Sequence, residues 1–556
     1  MKKWLSYGIF AIFCCAIGVV WGRHIQRVKT RPSDIKPFHP TATLDQTPEK
    51  ERPFVIISPS WNNADYCEEH LASIFSQNYS NYRLIYIDDA STDGTASRVR
   101  AIVDQHQMRD RVTLIENSAQ QGAMANWYKA IRLCDPNEIV VSVDGDDALA
   151  HEDVLAHLNA YYENDDVWMT FGQFVYTPSY QKGWCRPYDM QQVREGSFRT
   201  SPFWASHLRT FYAGLFHRIP IDAFLNDGKW LPRACDIAIM LPLLELCGAH
   251  AYYVDEVLYR YRFNNPKSDH VLDHDEQLAC EEAIRKRPPL AQCAHRELDS
   301  FDERAAILLF SCDRPMQLYA LLESIEANVK GDDGIYVIGR ATTDAYATGY
   351  QQVAERFPRV SFIMQQAEDG SDFRPLVLDT LEHKIDASHI VFGVDDIIVT
   401  APIDLTQGMA SLAKTGAYGL YYRLGKNTTY CYMAKEEQGL PPLIELGDSL
   451  YGWQFSAGKC DWDYPNTVDF TLFRKGDVLA DLSLIPFNTP GWLEARWSGL
   501  ASHDRVGLIY ERSSIVNIPL NVINDQFGNA HMASHTAATL HEAFMSGKKI
   551  DITPLQ

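Results

Sequence analysis

The 556-residue chain lacks the cysteine pairs that mark a zinc site or a small disulfide-bonded scaffold. Its 12 cysteines are scattered, and none belongs to a Cys-x-x-Cys pair. Zinc sites built from sulfur use such closely spaced ligands, and a disulfide framework needs many cysteines in a short chain. The cysteines are therefore typical of buried free thiols. Their spacing is compatible with occasional disulfides.

Positive charge is also scarce in this sequence. Asp and Glu number 72 against 51 Lys and Arg, which gives a net charge of -21 at pH 7. A nucleic-acid partner is not expected, because binding a phosphate backbone requires a basic face. Anions chelated by a metal ion remain compatible with this charge. With 46% hydrophobic and 22% charged residues, the composition is that of an ordinary globular protein.

One uncharged apolar run, residues 4–21, lies between basic residues near the amino terminus. Its length suits a membrane-crossing helix, and its two terminal tryptophans suit the membrane interface. The sequence therefore predicts a retained membrane anchor over residues 1–30 and a proline-containing tether over residues 31–52. A cleaved signal peptide is the alternative, although a clear Ala-x-Ala site is missing. The flanking basic residues are nearly balanced and lean slightly towards a cytoplasmic body.

The chain is longer than one hydrophobic core normally serves, and it contains an internal repeat. At one constant offset, "SPSWNNADYCEEHLASI" falls on "LFSCDRPMQLYALLESI", "DDASTD" falls on "GRATTD", and "EIVVSVDGDD" falls on "HIVFGVDDII". A single offset through three segments indicates two related domains. We expect them over residues 53–270 and 303–556, joined by a connecting segment over residues 271–302.

Both repeats have the same predicted order of elements. A strand (54–57; 306–310) is followed by a helix-compatible stretch and a second strand (83–87; 335–338), and a later strand ends in aspartates. This alternation predicts the α/β class, with a parallel sheet and helices on both of its faces. Ligands of such sheets bind beyond the carboxyl ends of the strands, where "DDASTDGT" and "DGDD" lie.

Three carboxylates, Asp144, Asp146 and Asp147, follow an apolar strand. Like charges this close oppose one another's ionisation, so we expect a cation beside them. A helix–loop–helix calcium site does not fit, because the twelfth position is Leu155 and not glutamate. An aspartate-nucleophile phosphatase does not fit either, because Gly-Thr does not follow. The structural alternative is that these acids cap the next helix, a role that suits Asp147.

Four segments, "SPSWNN", "SIFSQNYSNYRLIYIDDASTDGT", "QGAMANWYKAI" and "VVSVDGDDAL", occur in a characteristic order and approximate spacing. Together they resemble the family 2 glycosyltransferases, from about residue 52 to residue 270. The resemblance implies the GT-A fold, a Rossmann-like sheet that binds a nucleotide-sugar. The expected architecture is two tandem GT-A domains, the second of them divergent, behind a single N-terminal transmembrane helix.

The resemblance assigns roles to individual residues of the first domain. Asp144 and Asp146 become the Asp-x-Asp pair, in which Asp144 faces the ribose or metal and Asp146 ligates a cation bound to the diphosphate. Mn2+ or Mg2+ suits these oxygen ligands and would stabilise the charge of the departing diphosphate. The resemblance also places five residues beside the nucleotide, Pro59, Ser60, Asn62, Asp88 and Asp89. Either Asp88 or Asp89 would face a uracil-type base.

An inverting transfer also needs a base that takes the proton of the acceptor hydroxyl. The segment "RACDIAIMLPLLELCGAHAYYVDEVLYRYR" resembles the family segment that supplies this acid, and Asp236 is the matching residue. The family more often has Glu-Asp where this chain has Cys235-Asp236. The alternative is that Asp236 caps the apolar helix that follows it.

In the second domain the resemblance is thinner. "AAILLFSCDRPMQLYALLESI" and "HIVFGVDDIIV" look like a divergent GT-A glycosyltransferase, with Asp395 and Asp396 as its metal motif. Gly339 and Arg340 stand where the first domain has its base-recognising acids. Glu494, in "FNTPGWLEARW", is a candidate base at an acceptor site; the alternative is an exposed glutamate at a helix start.

The leading functional hypothesis is a membrane-anchored, inverting glycosyltransferase that transfers a sugar from a UDP-type nucleotide-sugar to a glycan or lipid-linked acceptor. The second domain would be either another transferase or a non-catalytic carbohydrate-binding or scaffold module. A chain devoted wholly to carbohydrate binding is opposed by the intact Asp-x-Asp motif. A nucleotidyltransferase would need a Gly-rich loop with a basic residue after the first strand, which "SPSWNN" lacks.

Overall fold

The computed structural model describes five ranges of the chain, residues 51–265, 274–296, 303–367, 369–521 and 535–555. Within these ranges, every helix is too short or too polar to cross a lipid bilayer. This finding contradicts the membrane localisation expected from the sequence. The segment predicted as the anchor, residues 4–21, lies outside the described residues.

The first half of the chain builds an eight-stranded sheet. Its central strand β1 (Phe54–Ser60) is a continuous buried run, as expected for a parallel strand that is covered on both faces. The other strands of this half are β2 (Tyr82–Asp88), β3 (Val112–Glu116), β4 (Ile139–Ser142), β5 (Ala148–Leu149), β6 (Met169–Thr177), β7 (Arg209–Tyr212), β8 (Leu225–Asn226), β9 (Lys229–Trp230) and β10 (Ala251–Arg262). Strands β8 and β9 form a separate two-stranded sheet. The helices are α1 (Cys67–Phe75), α2 (Thr95–Gln105), α3 (Ala123–Arg132), α4 (Val154–Tyr162), α5 (Met190–Glu195), α6 (Ala213–His217), α7 (Cys235–Cys247) and α8 (His274–Lys286).

The strand order of this sheet is β3-β2-β1-β4-β7-β6-β10-β5. Strand β1 pairs in parallel with both β2 and β4, and β2 pairs in parallel with β3. Strand β7 then runs antiparallel between β4 and β6, and β10 pairs in parallel with β6. Because β7 is antiparallel, it begins beside the carboxyl end of β4, with Arg209 opposite Ser142.

The second half builds a nine-stranded sheet in the order β14-β13-β11-β15-β23-β18-β24-β22-β21. The strands of this half are β11 (Ala305–Cys312), β12 (Val329–Lys330), β13 (Asp332–Arg340), β14 (Val360–Met364), β15 (His389–Val394), β16 (Ile397–Val399), β17 (Ile403–Asp404), β18 (Gly419–Tyr421), β19 (Tyr430–Cys431), β20 (Glu436–Glu437), β21 (Ile444–Gly447), β22 (Leu450–Gln454), β23 (Thr471–Arg474), β24 (Val506–Tyr510) and β25 (Ile515–Asn517). The helices are α9 (Pro315–Asn328), α10 (Asp344–Arg356), α11 (Phe373–Asp379), α12 (Leu405–Thr415), α13 (Lys475–Leu484), α14 (Pro490–Ser498) and α15 (Ala537–Met545).

The two sheets repeat the same topology. The order β14-β13-β11-β15-β23-β18-β24 of the second sheet matches β3-β2-β1-β4-β7-β6-β10 of the first, including the antiparallel strand in the fifth place. The constant sequence offset places β1 on β11, β2 on β13 and β4 on β15. The structure thus confirms the α/β class with parallel-rich sheets and the repeated strand order. The proposed domain boundaries stay predictions.

Residues Pro48–Gln556 form one compact unit. The two halves touch: the backbone N–H of Gly228 donates to Gln454 Oε1 at 2.7 Å. Helix α8, within the predicted connecting segment, packs on the first half, where Arg199 Nη1 donates to the carbonyl oxygen of Ile284 at 2.6 Å.

Candidate functional site

The carboxyl ends of β1, β2 and β4 meet at one edge of the first sheet. Ser60 lies opposite Asp88 in the parallel register of β1 and β2. After β4, the N–H of Gly145 donates to the carbonyl oxygen of Pro59 at 3.1 Å. A Cβ at Gly145 would lie 2.6 Å from Ser60 Cβ, so a side chain cannot fit between the first two acids of the motif. The fold therefore brings the predicted residues Pro59, Ser60, Asp88 and Asp144 to one place.

Asn62 joins the loop after β1 to the loop after β2. Its N–H donates to Ser91 Oγ at 2.8 Å, and its Oδ1 accepts from the N–H of Thr92 at 2.8 Å. The residue adopts a left-handed backbone with φ 53°, a conformation that asparagine tolerates better than most residues. Asn62 thus shapes the rim of the site.

Asp88 and Asp89 have different surroundings. Asp89 accepts hydrogen bonds from Asn117 Nδ2 and from two backbone N–H groups of residues 121–122, so it organises that loop. Asp88 Oδ2 accepts from the N–H of Ser91 at 3.1 Å. Its Oδ1 is buried and has no hydrogen-bond partner among the described residues. An unpaired buried acceptor costs free energy, and this distinguishes Asp88 from the fully hydrogen-bonded Asp89.

Asp147 is a structural acid of the motif. Its side chain is buried, with Oδ2 accepting from the Tyr259 hydroxyl at 2.8 Å and Oδ1 from the N–H of Arg262 at 2.6 Å. Burial and the charges of the two other acids raise the pKa of Asp147 well above its ordinary value. The idea that Asp147 caps the next helix is wrong, because α4 begins only at Val154.

Arg209 links two of the predicted acids. Its Nη2 lies 3.5 Å from Asp144 Oδ2, and its Nη1 lies 3.9 Å from Asp236 Oδ2. The arginine is buried, whereas the side chains of Asp144 and Asp236 are 34% and 37% exposed. Burial by itself lowers the pKa of Arg209, but the two carboxylates outweigh it and raise the pKa. Asp236 is not the N-cap of α7, since Ala234 occupies that position.

Three residues group their potential ligand atoms within 4.8 Å of one another, Asp144, Asp147 and His207. Arg209 Nη2 lies 3.1 Å from His207 Nδ1, and a guanidinium only donates, so Nδ1 accepts and the neutral ring carries its proton on Nε2. Burial and Arg209 lower the pKa of His207 well below its ordinary value. His207 cannot ligate a metal while this contact holds. The fitting donors are therefore the carboxylates, which suit a hard cation such as Mg2+ or Mn2+.

The strand β10 holds the other side of the motif. Asn265 Nδ2 donates to Asp146 Oδ2 at 2.6 Å, and Arg262 Nε donates to the carbonyl oxygen of Asp146 at 3.0 Å. Arg262 and Arg260 both pair with Glu69, whose single carboxylate compensates one of their two charges. These contacts fix the orientation of Asp146.

Sequence reasoning missed Arg209 and His207. Both lie at the start of β7, whose antiparallel register with β4 brings them to the acidic motif. Neither belongs to a motif with a recognisable spacing. The pairing of β7 with β4 would have been the only useful signal, and a four-residue strand gives little pattern from which to predict it.

In the second half, Asp395 and Asp396 follow β15. Asp395 accepts from Ser311 Oγ at 2.8 Å and from Arg314 Nη1 at 2.9 Å, and Asp396 Oδ2 lies 3.9 Å from the same nitrogen. Burial and the charge of Asp395 raise the pKa of Asp396 to about 7.

Glu494 lies on α14, which precedes β24 as α7 precedes β10. Its Oε1 accepts from the N–H of Val468 at 3.0 Å. Burial, followed by the charge of Asp469, raises the pKa of Glu494 to about 7. Glu494 is partly buried and not the exposed residue of the alternative interpretation. The two predicted bases, Asp236 and Glu494, thus occupy corresponding helices.

Comparisons with known proteins point to one family. The family model described as Glycosyl transferase family 2 matches residues 55–224. The bifunctional glycosyltransferase pgtA of Dictyostelium discoideum is 26% identical over 189 residues, which cover 31% of this chain and 24% of pgtA. An uncharacterized glycosyltransferase of Haemophilus influenzae is 30% identical over 121 residues, which cover 22% of this chain and 46% of the relative.

A solved structure also aligns with the chain. It is the mannosyltransferase PcManGT from Pyrobaculum calidifontis in complex with GDP-Man and Mn2+, with 22% identity, a TM-score of 0.34, and coverage of 50% of this chain and 76% of that chain. The chain spans less than half the length of the two curated relatives, so their full activities do not transfer to it. The family match contains β1 to β7 and the whole acidic motif. The first half of the chain is therefore similar to the family 2 glycosyltransferases over residues 55–224.

Proposed function

We propose that the first half, residues 53–270, transfers a sugar from a nucleoside-diphosphate-sugar of the UDP type to a hydroxyl group of a glycan or lipid-linked acceptor, with inversion. The observation that carries this proposal is the arrangement of Asp144, Arg209 and Asp236 at the carboxyl edge of the sheet. A phosphate-side acid and an acceptor-side acid lie on opposite sides of one buried arginine. A direct displacement needs a diphosphate-binding acid and a base for the acceptor, and Asp144 and Asp236 would take these two roles.

The nucleotide would lie against the ends of β1 and β2. The unpaired Oδ1 of Asp88 would accept the imide N–H of a uracil base, a donor that cytosine lacks at that position. Pro59, Ser60 and Asn62 would form the wall of this pocket. Asp89 would act indirectly, by holding the loop of residues 121–122 in place.

The carboxylates of the motif would hold the metal cofactor. Mn2+ or Mg2+ bound by Asp144 and Asp146 would stabilise the negative charge that develops on the departing diphosphate. The protein prepares these ligands, since Asn265 orients Asp146 and Arg209 lies beside Asp144. Burial of Arg209 strengthens its interaction with both acids.

Asp236 would act as the general base. Its partly exposed carboxylate would accept the proton of the acceptor hydroxyl while the acceptor oxygen forms a bond to the anomeric carbon. The bond from that carbon to the diphosphate oxygen breaks at the same time, and the nucleoside diphosphate leaves. Arg209 would position Asp236, since Arg209 Nη1 lies 3.9 Å from Asp236 Oδ2.

For the second half, residues 303–556, we propose a further transfer reaction with Glu494 as base, which would make the chain bifunctional. The support is the position of Glu494 on the helix that corresponds to that of Asp236, together with its pKa of about 7. The alternative is a non-catalytic carbohydrate-binding module. Glu494→Gln separates them: a catalytic role predicts loss of one of two linkages, and a binding role predicts unchanged linkages.

The proposal is tested by incubating the purified chain with UDP-, GDP- and CMP-sugars, glycan acceptors and Mn2+ or Mg2+, and measuring nucleotide release. We expect activity with a UDP-sugar. Asp236→Asn should lower kcat by roughly 10²–10⁴-fold, as loss of a general base does, while UDP binding is retained. Asp88→Asn should instead weaken UDP binding.

Glu152→Gln is the matched control, because Glu152 is an exposed carboxylate close to the motif. This variant should keep full activity. Full activity of Asp236→Asn would exclude Asp236 as the base, and equal turnover of all nucleotide classes would exclude recognition of uracil by Asp88.

A further inference from the structure

The acidic motif of the second half is neutralised by the chain itself. Asp395, which the internal repeat aligns with Asp144, has both carboxylate oxygens engaged, one by Ser311 Oγ and the other by Arg314 Nη1. Its side chain is 5% exposed, against 34% for Asp144. Arg314 Nη2 donates to the carbonyl oxygen of Asn521, so the guanidinium is held from two sides.

The other potential metal ligands of the first half have apolar counterparts in the second. The constant sequence offset aligns two of these three ligands, Asp146 and Asp147, with residues of the second half. The third, His207, is aligned by the matching registers of β7 on β4 and of β23 on β15. The counterparts of Asp146, Asp147 and His207 are Ile397, Ile398 and Val468, all buried.

These residues do not fit a divalent cation. Mg2+ and Mn2+ need several oxygen ligands, whereas the motif itself offers only Asp396 once Asp395 is engaged. The charge of Asp469 also acts on Asp396, but the described residues of this half do not bring the ligand atoms of three Asp, Glu, His or Cys side chains within 4.8 Å of one another. A metal ion there would also be repelled by the guanidinium, whose Nη1 lies 2.9 Å from Asp395 Oδ1. In the first half Arg209 stays 3.5 Å from Asp144 and leaves that carboxylate more open.

We propose that Arg314 permanently occupies the cation position of the second half, so that Asp395 and Asp396 bind no divalent metal ion. This inference goes beyond the proposed function, and it opposes the sequence-based expectation of a second metal pair. A transfer reaction in the second half would accordingly proceed without a metal.

Mn2+ titration of the full chain, followed by the electron paramagnetic resonance signal of free Mn2+, tests the inference. We expect one bound equivalent in the wild type and in Asp395→Asn, and none in the double variant Asp144→Asn with Asp146→Asn. Loss of an equivalent in Asp395→Asn would overturn the inference, and so would an equivalent that persists in the first-half double variant.

A second variant guards against loss of folding. Asp395→Asn leaves Arg314 buried without its partner, which is more destabilising than removing both charges. Arg314→Met combined with Asp395→Asn should therefore unfold at a higher temperature than Asp395→Asn and bind as much Mn2+ as the wild type. Reduced binding by this folded variant would contradict the inference. If the wild type binds no Mn2+, the proposed metal site of the first half is refuted, whereas the inference for Asp395 is supported. The experiment therefore distinguishes failure of the proposed function from failure of this inference.

Discussion

At the scale of residues, Gly145 determines whether the acidic motif can approach the end of β1. The backbone after β4 passes so close to Ser60 that a Cβ at position 145 would lie 2.6 Å from both Cβ and Oγ of that serine. The hydrogen bond from Gly145 to Pro59 fixes the same approach. The positions of Asp144 and Asp146 relative to the nucleotide pocket therefore depend on a residue without a side chain.

Gly145→Ala should separate β1 from the motif. We expect a loss of stability of about 1–3 kcal/mol from overpacking, together with weaker nucleotide binding. Urea unfolding and a UDP titration measure the two effects.

The compensating variant Gly145→Ala with Ser60→Gly removes the colliding side chain and should recover most of the lost stability. If the double variant is no more stable than Gly145→Ala alone, the contact with Ser60 is not the cause.

The residues of the site differ in how far sequence predicts them. Acids at the ends of apolar strands stand out from the strand pattern, so the sequence drew attention to Asp144 and, through the family resemblance, to Asp88 or Asp89 as alternatives. Sequence could not choose between Asp88 and Asp89, because the difference lies in which loop amides each acid meets. The position of Arg209 could not be predicted, because the sequence around a single arginine does not indicate which strand its own strand will pair with.

At the scale of elements, a buried ion pair joins α7 to residues Ser197–Thr200, which in turn contact α8. Arg199 Nε and Nη2 bind the two carboxylate oxygens of Glu245 at 2.6 and 2.9 Å, and the N–H of Leu290 donates to Glu245 at 3.0 Å. Arg199 also donates to the carbonyl oxygen of Ile284 on α8. The helix that carries Asp236 is thereby tied to the segment that leads to the second half.

Glu245→Gln should destabilise the protein by roughly 3–5 kcal/mol, because it leaves Arg199 buried without a counter-charge. Urea unfolding measures the change. Glu282→Gln is the control, since Glu282 pairs with Lys286 on the exposed face of α8. Loss of that exposed pair should have a much smaller effect, because water and salt screen a surface ion pair. Equal losses in the two variants would show that the buried pair contributes no more than the surface pair.

Four parallel strands, β1, β2, β11 and β13, were predictable from sequence, whereas the antiparallel strand of each sheet was not. The apolar runs placed β1, β2, β11 and β13 to within a few residues, because parallel central strands are buried on both faces. The antiparallel strands β7 and β23 are only four residues long, and their pairing partners are distant in sequence. Only the tertiary structure could reveal these two strands, yet β7 places Arg209 beside the acidic motif.

At the scale of the whole molecule, the two halves share a topology but not a chemistry. The repeat was visible in the sequence because a constant offset survives where strands and turns are retained. Divergence of the second acidic motif was only partly visible, since the sequence shows Asp395 and Asp396 but not that Arg314 pairs with Asp395. The membrane localisation expected from the sequence is contradicted within the described ranges, where no helix is long and apolar enough to cross a bilayer. Residues 4–21 lie outside these ranges.

The contact between the halves includes a glycine at the end of α12. Gly416 has a left-handed backbone, φ +65°, and a Cβ there would lie 2.7 Å from Pro220 Cα in the first half. Gly447, between β21 and β22, has the same backbone handedness with φ +88° and open space around it. Alanine substitution at Gly447 would cause backbone strain alone, whereas at Gly416 it would cause backbone strain and a collision with the other half of the chain. Comparing the two variants therefore distinguishes the two effects.

Gly447→Ala should cost about 1–2 kcal/mol from the left-handed conformation alone. Gly416→Ala should cost this amount plus about 1–3 kcal/mol, because the methyl group would push α12 away from Pro220. Differential scanning calorimetry of both variants measures the difference in Tm. Equal shifts would mean that the halves adjust freely at this contact; a larger shift for Gly416→Ala would mean that their packing contributes to the stability of the whole chain.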